Sequence, residues 1–285
     1  MNNDVDCGRW RVHYTVRGEG PSLILLHGGA PASSGESSFS RNIDFFAKSF
    51  RTYAIDFPGW GKSSHRLLPA GQFANPMEVA GEVVAAFMQA LGLERAHLLG
   101  GSFGGAAALY TALNHPSLVD RLVLVAPGGG DIKGQLTPGL TSLLTYYSGE
   151  GPTLQKLRTL MGRMVFDPSS IPEAMIEERF ALSNTAEALE GFPLRLPPGG
   201  LNQPLPLLCE HPGLPSMNAP VLFVWGKDDV VQPYDALASF HRLPNQRSKV
   251  FEACGHWPYW EHPEAFHEAA LQFLAAAPQP EGQTK

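Results

Sequence analysis

A serine set among glycines is the sharpest chemical signal in this 285-residue chain. Gly100-Gly101-Ser102-Phe103-Gly104 reads G-x-S-x-G, after an apolar run at residues 96–99 and before a helical pattern at 105–115. A strand-to-helix turn this tight holds its central residue at strained backbone angles and needs small residues beside it. Ser102 Oγ then stands above the carboxyl edge of a sheet, over a helix N-terminus that favours negative charge. A serine hydroxyl is a weak nucleophile at neutral pH. It needs a general base, and the base needs a third group to fix its tautomer. Gly226-Lys227-Asp228-Asp229 and Cys254-Gly255-His256-Trp257 each follow an apolar run further along the chain. Ser102, Asp229 and His256 form the candidate set in the order serine, acid, histidine, with Asp228 competing for the acid. Upstream, His27-Gly28-Gly29-Ala30-Pro31 follows another run. Its Gly29 amide, with the amide of Phe103, is a candidate pair of donors to an oxyanion, whereas His27 reads as a hydrogen-bonded structural residue.

Such a set needs strands that end where the loops begin. Apolar runs at 22–26, 52–55, 96–99, 122–125, 221–225 and 248–251 alternate with helical patterns. This predicts an α/β fold, a mostly parallel central sheet with helices on both faces, and near-continuous hydrophobicity places these strands in the interior. Residues 10–16 alternate and the turn 17–21 follows, which predicts an antiparallel edge hairpin at the start. Asn75-Pro76-Met77-Glu78 reads as a capping box opening a helix that stops near Gly92. Between about 131 and 218 the rhythm breaks. Helical stretches at 153–166 and 173–183 precede eight prolines between Pro193 and Pro220, and the sheet pattern resumes at Val221. An inserted helical lid over the site fits this pattern, and a linker to a second domain is the alternative. The organisation expected is a core of residues 1–130 and 219–277, a lid insertion at 131–218 and a disordered tail at 278–285, with the first residues also disordered.

Composition bounds the chemistry. With 44% hydrophobic and 17% charged residues the chain is globular, and 21 Lys+Arg against 27 Asp+Glu leave a net charge of −6, without the basic footprint of a nucleic-acid or anionic-membrane partner. A small-molecule substrate is the expectation, with room for a homo-oligomer. Cys7, Cys209 and Cys254 form no framework or zinc spacing, the start lacks a signal peptide and no run is long enough to span a membrane, so the expected compartment is cytoplasmic. No metal or cofactor is implied. Without HExxH-type spacing, His262 and His267 read as surface residues near the last helix, and Gly59-Trp60-Gly61-Lys62-Ser63 reads as a turn because the phosphate-loop spacing is absent.

The segments HGGAP, Asp56-Phe57-Pro58-Gly59-Trp60-Gly61-Lys62-Ser63, the serine pentad, WGKDD and CGHW, in this order over nearly the whole chain, resemble the α/β-hydrolase family. Within it, Phe39-Ser40-Arg41-Asn42, Glu178-Arg179-Phe180-Ala181-Leu182 and Cys254-Gly255-His256-Trp257 resemble the meta-cleavage-product hydrolases of aromatic degradation. The resemblance implies hydrolysis of a carbon–carbon bond in 2-hydroxy-6-oxo-hexa-2,4-dienoates, with Arg179 at the carboxylate end and Trp257 lining the pocket. The chain departs from that family at Gly101 and Ser38, where asparagines are usual, and at Ala30 in the glycine-rich stretch; by the resemblance these positions face the polar end of the substrate. A carboxylesterase or lactonase on a small aromatic or acyl substrate is the second reading, and a ligand receptor on a hydrolase scaffold the third.

Overall fold

The computed structural model describes residues 2–68, 74–134, 136–195 and 207–276. Most of the proline-rich stretch, at 196–206, and the tail expected to be disordered at 278–285 lie outside the described residues. Eight strands form one sheet: β1 (Asn2–Cys7), β2 (Trp10–Arg17), β3 (Ser22–Leu26), β4 (Arg51–Ile55), β5 (Ala96–Gly101), β6 (Val119–Val125), β7 (Val221–Gly226) and β8 (Gln246–Phe251). Their spatial order is β1-β2-β4-β3-β5-β6-β7-β8. The six from β4 to β8 in that order pair in parallel, and β1 and β2 are antiparallel.

Each predicted apolar run is a strand. Those of β3, β5, β6 and β7 are covered on both faces, so almost every side chain along them is buried. Full burial of each Leu, Ile or Val contributes about 1.5–3 kcal/mol relative to exposure. Three expectations are corrected. The opening hairpin joins β1 to β2 across Gly8 and Arg9, and β2 pairs with β4 rather than with the run that follows it. The first residues, expected to be disordered, are thus an edge strand whose polar side chains hid it. At the other edge, β8 pairs only with β7 and leaves Arg247, Ser248 and Lys249 exposed, so it is not an interior strand.

Short helices α1 (Gly35–Ser38) and α2 (Ile43–Phe46) follow β3, and α3 (Pro76–Ala90) precedes β5. Asn75 caps α3 by accepting from Met77 N at 3.1 Å, a single bond in place of the reciprocal box, and the helix ends before Gly92. Helix α4 (Phe103–Asn114) packs on α3 and on β5 and β6. Between β6 and β7 lie α5 (Pro138–Thr145), α6 (Leu154–Gly162), α7 (Glu173–Ser183) and α8 (Ala186–Gly191), and after β8 come α9 (Pro258–Glu261) and α10 (Pro263–Leu274). Among the described residues, no helix is long and apolar enough to cross a membrane.

Strand β5 and helix α4 meet at Ser102 so closely that side chains are excluded. A Cβ on Gly100 would lie 2.3 Å from Gly104 O, and one on Gly104 would lie 2.2 Å from Leu26 O. Both obstacles are main chain and cannot swing aside. Gly104→Ala is expected to cost about 1–3 kcal/mol or more by overpacking, read as a lower urea midpoint at unchanged slope. Gly162→Ala, whose methyl meets nothing nearer than 3.6 Å, should be neutral or slightly stabilising in the same measurement.

Candidate active site

Ser102 is the N-cap of α4 with φ 52° and ψ −115°, a left-handed conformation that a non-glycine residue adopts only under constraint. The constraint is visible. Ser102 N donates to Val125 O at 2.8 Å, and Ser102 O accepts from Ala106 N and Gly128 N, each at 3.0 Å. The Gly28-Gly29 turn lies beside it: a Cβ on Gly28 would sit 3.6 Å from Ser102 Cβ, and one on Gly29 would sit 3.3 Å from Phe103 Cβ. Among the described residues the amides of Gly29 and Phe103 donate to no acceptor. His27 is structural: its Nε2 accepts from Phe57 N at 3.0 Å and its Nδ1 donates to Gly28 O at 2.7 Å. Burial holds its pKa below the ordinary histidine value, consistent with this neutral tautomer.

The loop after β7 treats its two acids differently. Asp228 is exposed, whereas Asp229 is buried and its Oδ2 accepts from His256 Nδ1 at 2.6 Å. Asp229 Oδ1 accepts from the amides of Val231 at 2.7 Å and Gln232 at 2.9 Å, which fixes the carboxylate in place. With Nδ1 engaged, His256 Nε2 is the nitrogen turned to the cavity; it is buried and has no hydrogen-bond partner. The bond from Ser102 Oγ to Nε2 is therefore not formed in this structure. Such bonds commonly tighten only when substrate is present.

Glu261 is a residue that the sequence patterns did not single out. Its Oε2 accepts from Gly255 N and its Oε1 from Phe166 N, both at 2.7 Å, while His256 N donates to Met164 O at 2.8 Å. The loop carrying His256 is thus tied directly to the segment that follows α6. The insertion also grips the Asp229 loop, through Thr137 Oγ1 to Val231 O at 2.8 Å and Gly139 N to Val230 O at 3.0 Å.

Two adjoining cavities, with ≈ 320 and ≈ 220 Å³ of empty space, share Ser38, Trp257 and Tyr259 as walls. Ser102, His256, Gly29 and Ala30 line one, and Arg179 and Met175 of α7 line the other. Arg179 is 4% exposed; its Nη1 reaches Ser33 Oγ at 3.4 Å, its Nε is unpartnered, and its Cζ lies 5.7 Å from the Trp257 ring centre. Among the described residues no carboxylate pairs with it. Burial pulls its pKa below the usual arginine value, yet a guanidinium stays charged in proteins.

The remaining candidates fall differently. Gly101 does not form the cavity wall, because the ring of Tyr259 stands in front of it. Arg41 and Asn42 act on α9: Arg41 stacks on Trp260 at 3.7 Å and donates to Trp260 O, and Asn42 Nδ2 donates to Tyr259 O at 3.3 Å. His267, expected at the surface, is buried, stacks on Phe45 and donates from Nε2 to Asn42 Oδ1 at 3.0 Å. No group of three or more His, Cys, Asp or Glu that could hold a metal occurs among the described residues.

Residues 23–269 match the model of the alpha/beta hydrolase family. A Paraburkholderia phymatum protein named 2-hydroxy-6-oxononadienedioate/2-hydroxy-6-oxononatrienedioate hydrolase is 35% identical over 277 residues, covering 93% of this chain and 91% of its own. A Burkholderia cepacia protein named 2-hydroxy-6-oxo-6-phenylhexa-2,4-dienoate hydrolase is 34% identical, with 96% and 94% covered. A crystal structure of the meta-cleavage product hydrolase from Pseudomonas fluorescens IP01 superposes with a TM-score of 0.84 at 25% identity, covering 95% of this chain and 97% of that one. The chain belongs to the alpha/beta hydrolase family.

Proposed function

We propose that the protein is a serine hydrolase that cleaves a carbon–carbon bond in a conjugated oxo-dienoate, without a cofactor. Ser102 is the nucleophile, His256 the base and Asp229 the group that orients it; the Gly29 and Phe103 amides receive the oxyanion, and the insertion between β6 and β7 is the lid. The observation that carries the substrate class is Arg179, a buried cation without a carboxylate partner among the described residues, in a cavity adjoining that of Ser102 and His256. An unpaired buried charge is costly, and a substrate carboxylate relieves that cost. The names of the relatives, which act on 2-hydroxy-6-oxo-dienoates, support the same class.

The chemistry follows from the groups in place. Ser102 Oγ bonds to the keto carbon as its proton passes to His256 Nε2 and the carbonyl π pair moves onto the oxygen facing Gly29 N and Phe103 N. In the 2,6-dioxo tautomer, formed when the 2-hydroxyl proton moves to the carbon beside the ketone, re-forming the carbonyl expels the carbon–carbon pair with the enoate fragment, where it is delocalised onto the 2-oxo oxygen and takes up the proton held by His256. Water, deprotonated by the same histidine, then hydrolyses the acyl-serine. Arg179 and Trp257 hold the fragment that departs, with Ser38 and Ala30 lining its path. The free, buried thiols of Cys7, Cys209 and Cys254 support a reducing compartment such as the cytoplasm.

Three measurements test the reading. Ser102→Ala should lower kcat by roughly 10³ to 10⁶-fold while leaving the unfolding midpoint near wild type. Asp229→Asn should remove most activity by leaving His256 in the wrong tautomer, and Asp228→Asn should be mild; the reverse ranking would reassign the acid. Arg179→Gln should reduce kcat/KM for carboxylate-bearing dienoates by on the order of 2–5 kcal/mol, with neutral aryl esters little changed. A wild type that hydrolyses neutral esters well, leaves dienoates intact and ignores the Arg179 change is a carboxylesterase or lactonase instead.

A further inference from the structure

The side chain absent at Gly101 leaves room that another residue uses. A Cβ built on Gly101 would stand 3.2 Å from Tyr259 Cε1 and 3.5 Å from Tyr259 Oη, so the phenol occupies the ground directly in front of the residue that precedes Ser102. Tyr259 is 4% exposed and is a wall of both cavities, the one containing Ser102 and His256 and the one containing Arg179. Its ring is fixed by Phe39, with centroids 5.2 Å apart, and by Phe266 at 6.1 Å. Its main chain is held by Asn42, which His267 orients in turn. The hydroxyl, by contrast, has no hydrogen-bond partner among the described residues. A rigidly held donor without a protein acceptor, on the wall shared by the cavity of Ser102 and that of Arg179, is a group prepared for a ligand oxygen.

We infer that Tyr259 is a specificity residue of this site, its phenol donating to the carboxylate of a conjugated acid that also pairs with Arg179, and that Gly101 is glycine to admit the ring. This rests on the dienoate reading above for its substrate class. Burial pushes the phenol well above its ordinary pKa, against the smaller opposing effect of Arg179, so Tyr259 stays a protonated donor at neutral pH. The groups facing it are Arg179, Ser38, Trp257 and the His256 loop; among the described residues no carboxylate side chain lines either cavity. The anion is therefore the substrate's own.

The test uses binding, so that it does not depend on which bond the enzyme cleaves. Sorbate, a conjugated dienoic acid, and its neutral amide are titrated calorimetrically into the full-length protein. Wild type should prefer sorbate. Tyr259→Phe keeps the ring packing, so its unfolding midpoint should stay near wild type while the Kd for sorbate rises roughly 10- to 100-fold, the effect of one hydrogen bond to a charged group, and that for the amide changes less than about twofold. Gly101→Ala presses on the ring and should raise the sorbate Kd by a smaller factor; in a Tyr259→Phe background, with no hydroxyl left to displace, it should add little. If Tyr259→Phe does not fold, the Gly101→Ala effect on sorbate against amide decides the matter alone. An unchanged sorbate Kd in either variant overturns the assignment. So does a Tyr259→Phe protein that binds sorbate normally but hydrolyses neutral aryl esters slowly, which would place the hydroxyl at the oxyanion. A wild type that discriminates sorbate from its amide but leaves oxo-dienoates uncleaved sustains the role of Tyr259 and removes only the carbon–carbon reading.

Discussion

The close approach of β5 and α4 around Ser102 is the constraint on which the rest of the molecule depends. A serine at φ 52° sits in a region that costs on the order of 1–3 kcal/mol, and it persists only where the surroundings over-determine it. Here they do so from three sides. Val125 O at the end of β6 fixes the Ser102 amide, Gly128 N fixes its carbonyl, and the interior strands β3 and β6 hold β5 in register. Gly100 and Gly104 are the local condition for that geometry, since each meets main chain where a side chain would begin. The extensive burial of β3, β5, β6 and β7 is thus more than bulk stability: it keeps one strained residue at the sheet edge, with the Phe103 amide of the helix and the Gly29 amide of the loop after β3 beside it.

The other half of the site is built on loops, and loops need ties. Those carrying Asp229 and His256 are braced by the insertion rather than by the sheet alone. Met164 O, Thr137 Oγ1 and Gly139 N each bond to one of these loops, and Glu261 binds Gly255 N and Phe166 N at once. Two amides of opposite origin, one beside the histidine and one in the segment after α6, share a single carboxylate. A displacement of the insertion must therefore be felt at His256. The segment that supplies Arg179 to the cavity is in this way mechanically continuous with the segment that orients the base.

Much of the fold was legible because interior parallel strands are written as unbroken apolar runs, and the candidate triad was legible because each member lies just past such a run. What failed did so for physical reasons. Asn2–Cys7 pairs on one side only and carries Asn, Asp and Cys, so neither hydrophobicity nor alternation marks it. The run at 248–251 reads Ser-Lys-Val-Phe beside the wholly apolar 221–225, and its polar half marks the edge strand that β8 is. Asp228 and Asp229 are neighbours of one type, and only the direction of the chain after β7 buries one and exposes the other. His267 looked like a surface residue because its partners, Asn42 and Phe45, are more than 200 positions away. Tyr259 carries no motif at all; its place follows from an absence at residue 101, which a linear reading records as a lost contact rather than as space for a ring.

That exchange bears on how binding and chemistry divide in this cavity. Contacts far from the reacting bond accelerate a reaction only if they hold the substrate where the transition state forms. Arg179 stands on α7 of the insertion, whereas Tyr259 stands on α9, anchored by Arg41 and Asn42 from the segment between β3 and β4. A carboxylate held by both would bridge the insertion to the core, two to five residues along from His256 on one side and across from Ser102 on the other. The ligand itself would then complete the packing between the two parts. Arg179, at 4% exposure, has no carboxylate partner among the described residues; a substrate carboxylate would supply that counter-ion, and a preference for an acid over a neutral analogue would follow from the cost of leaving the guanidinium unpaired.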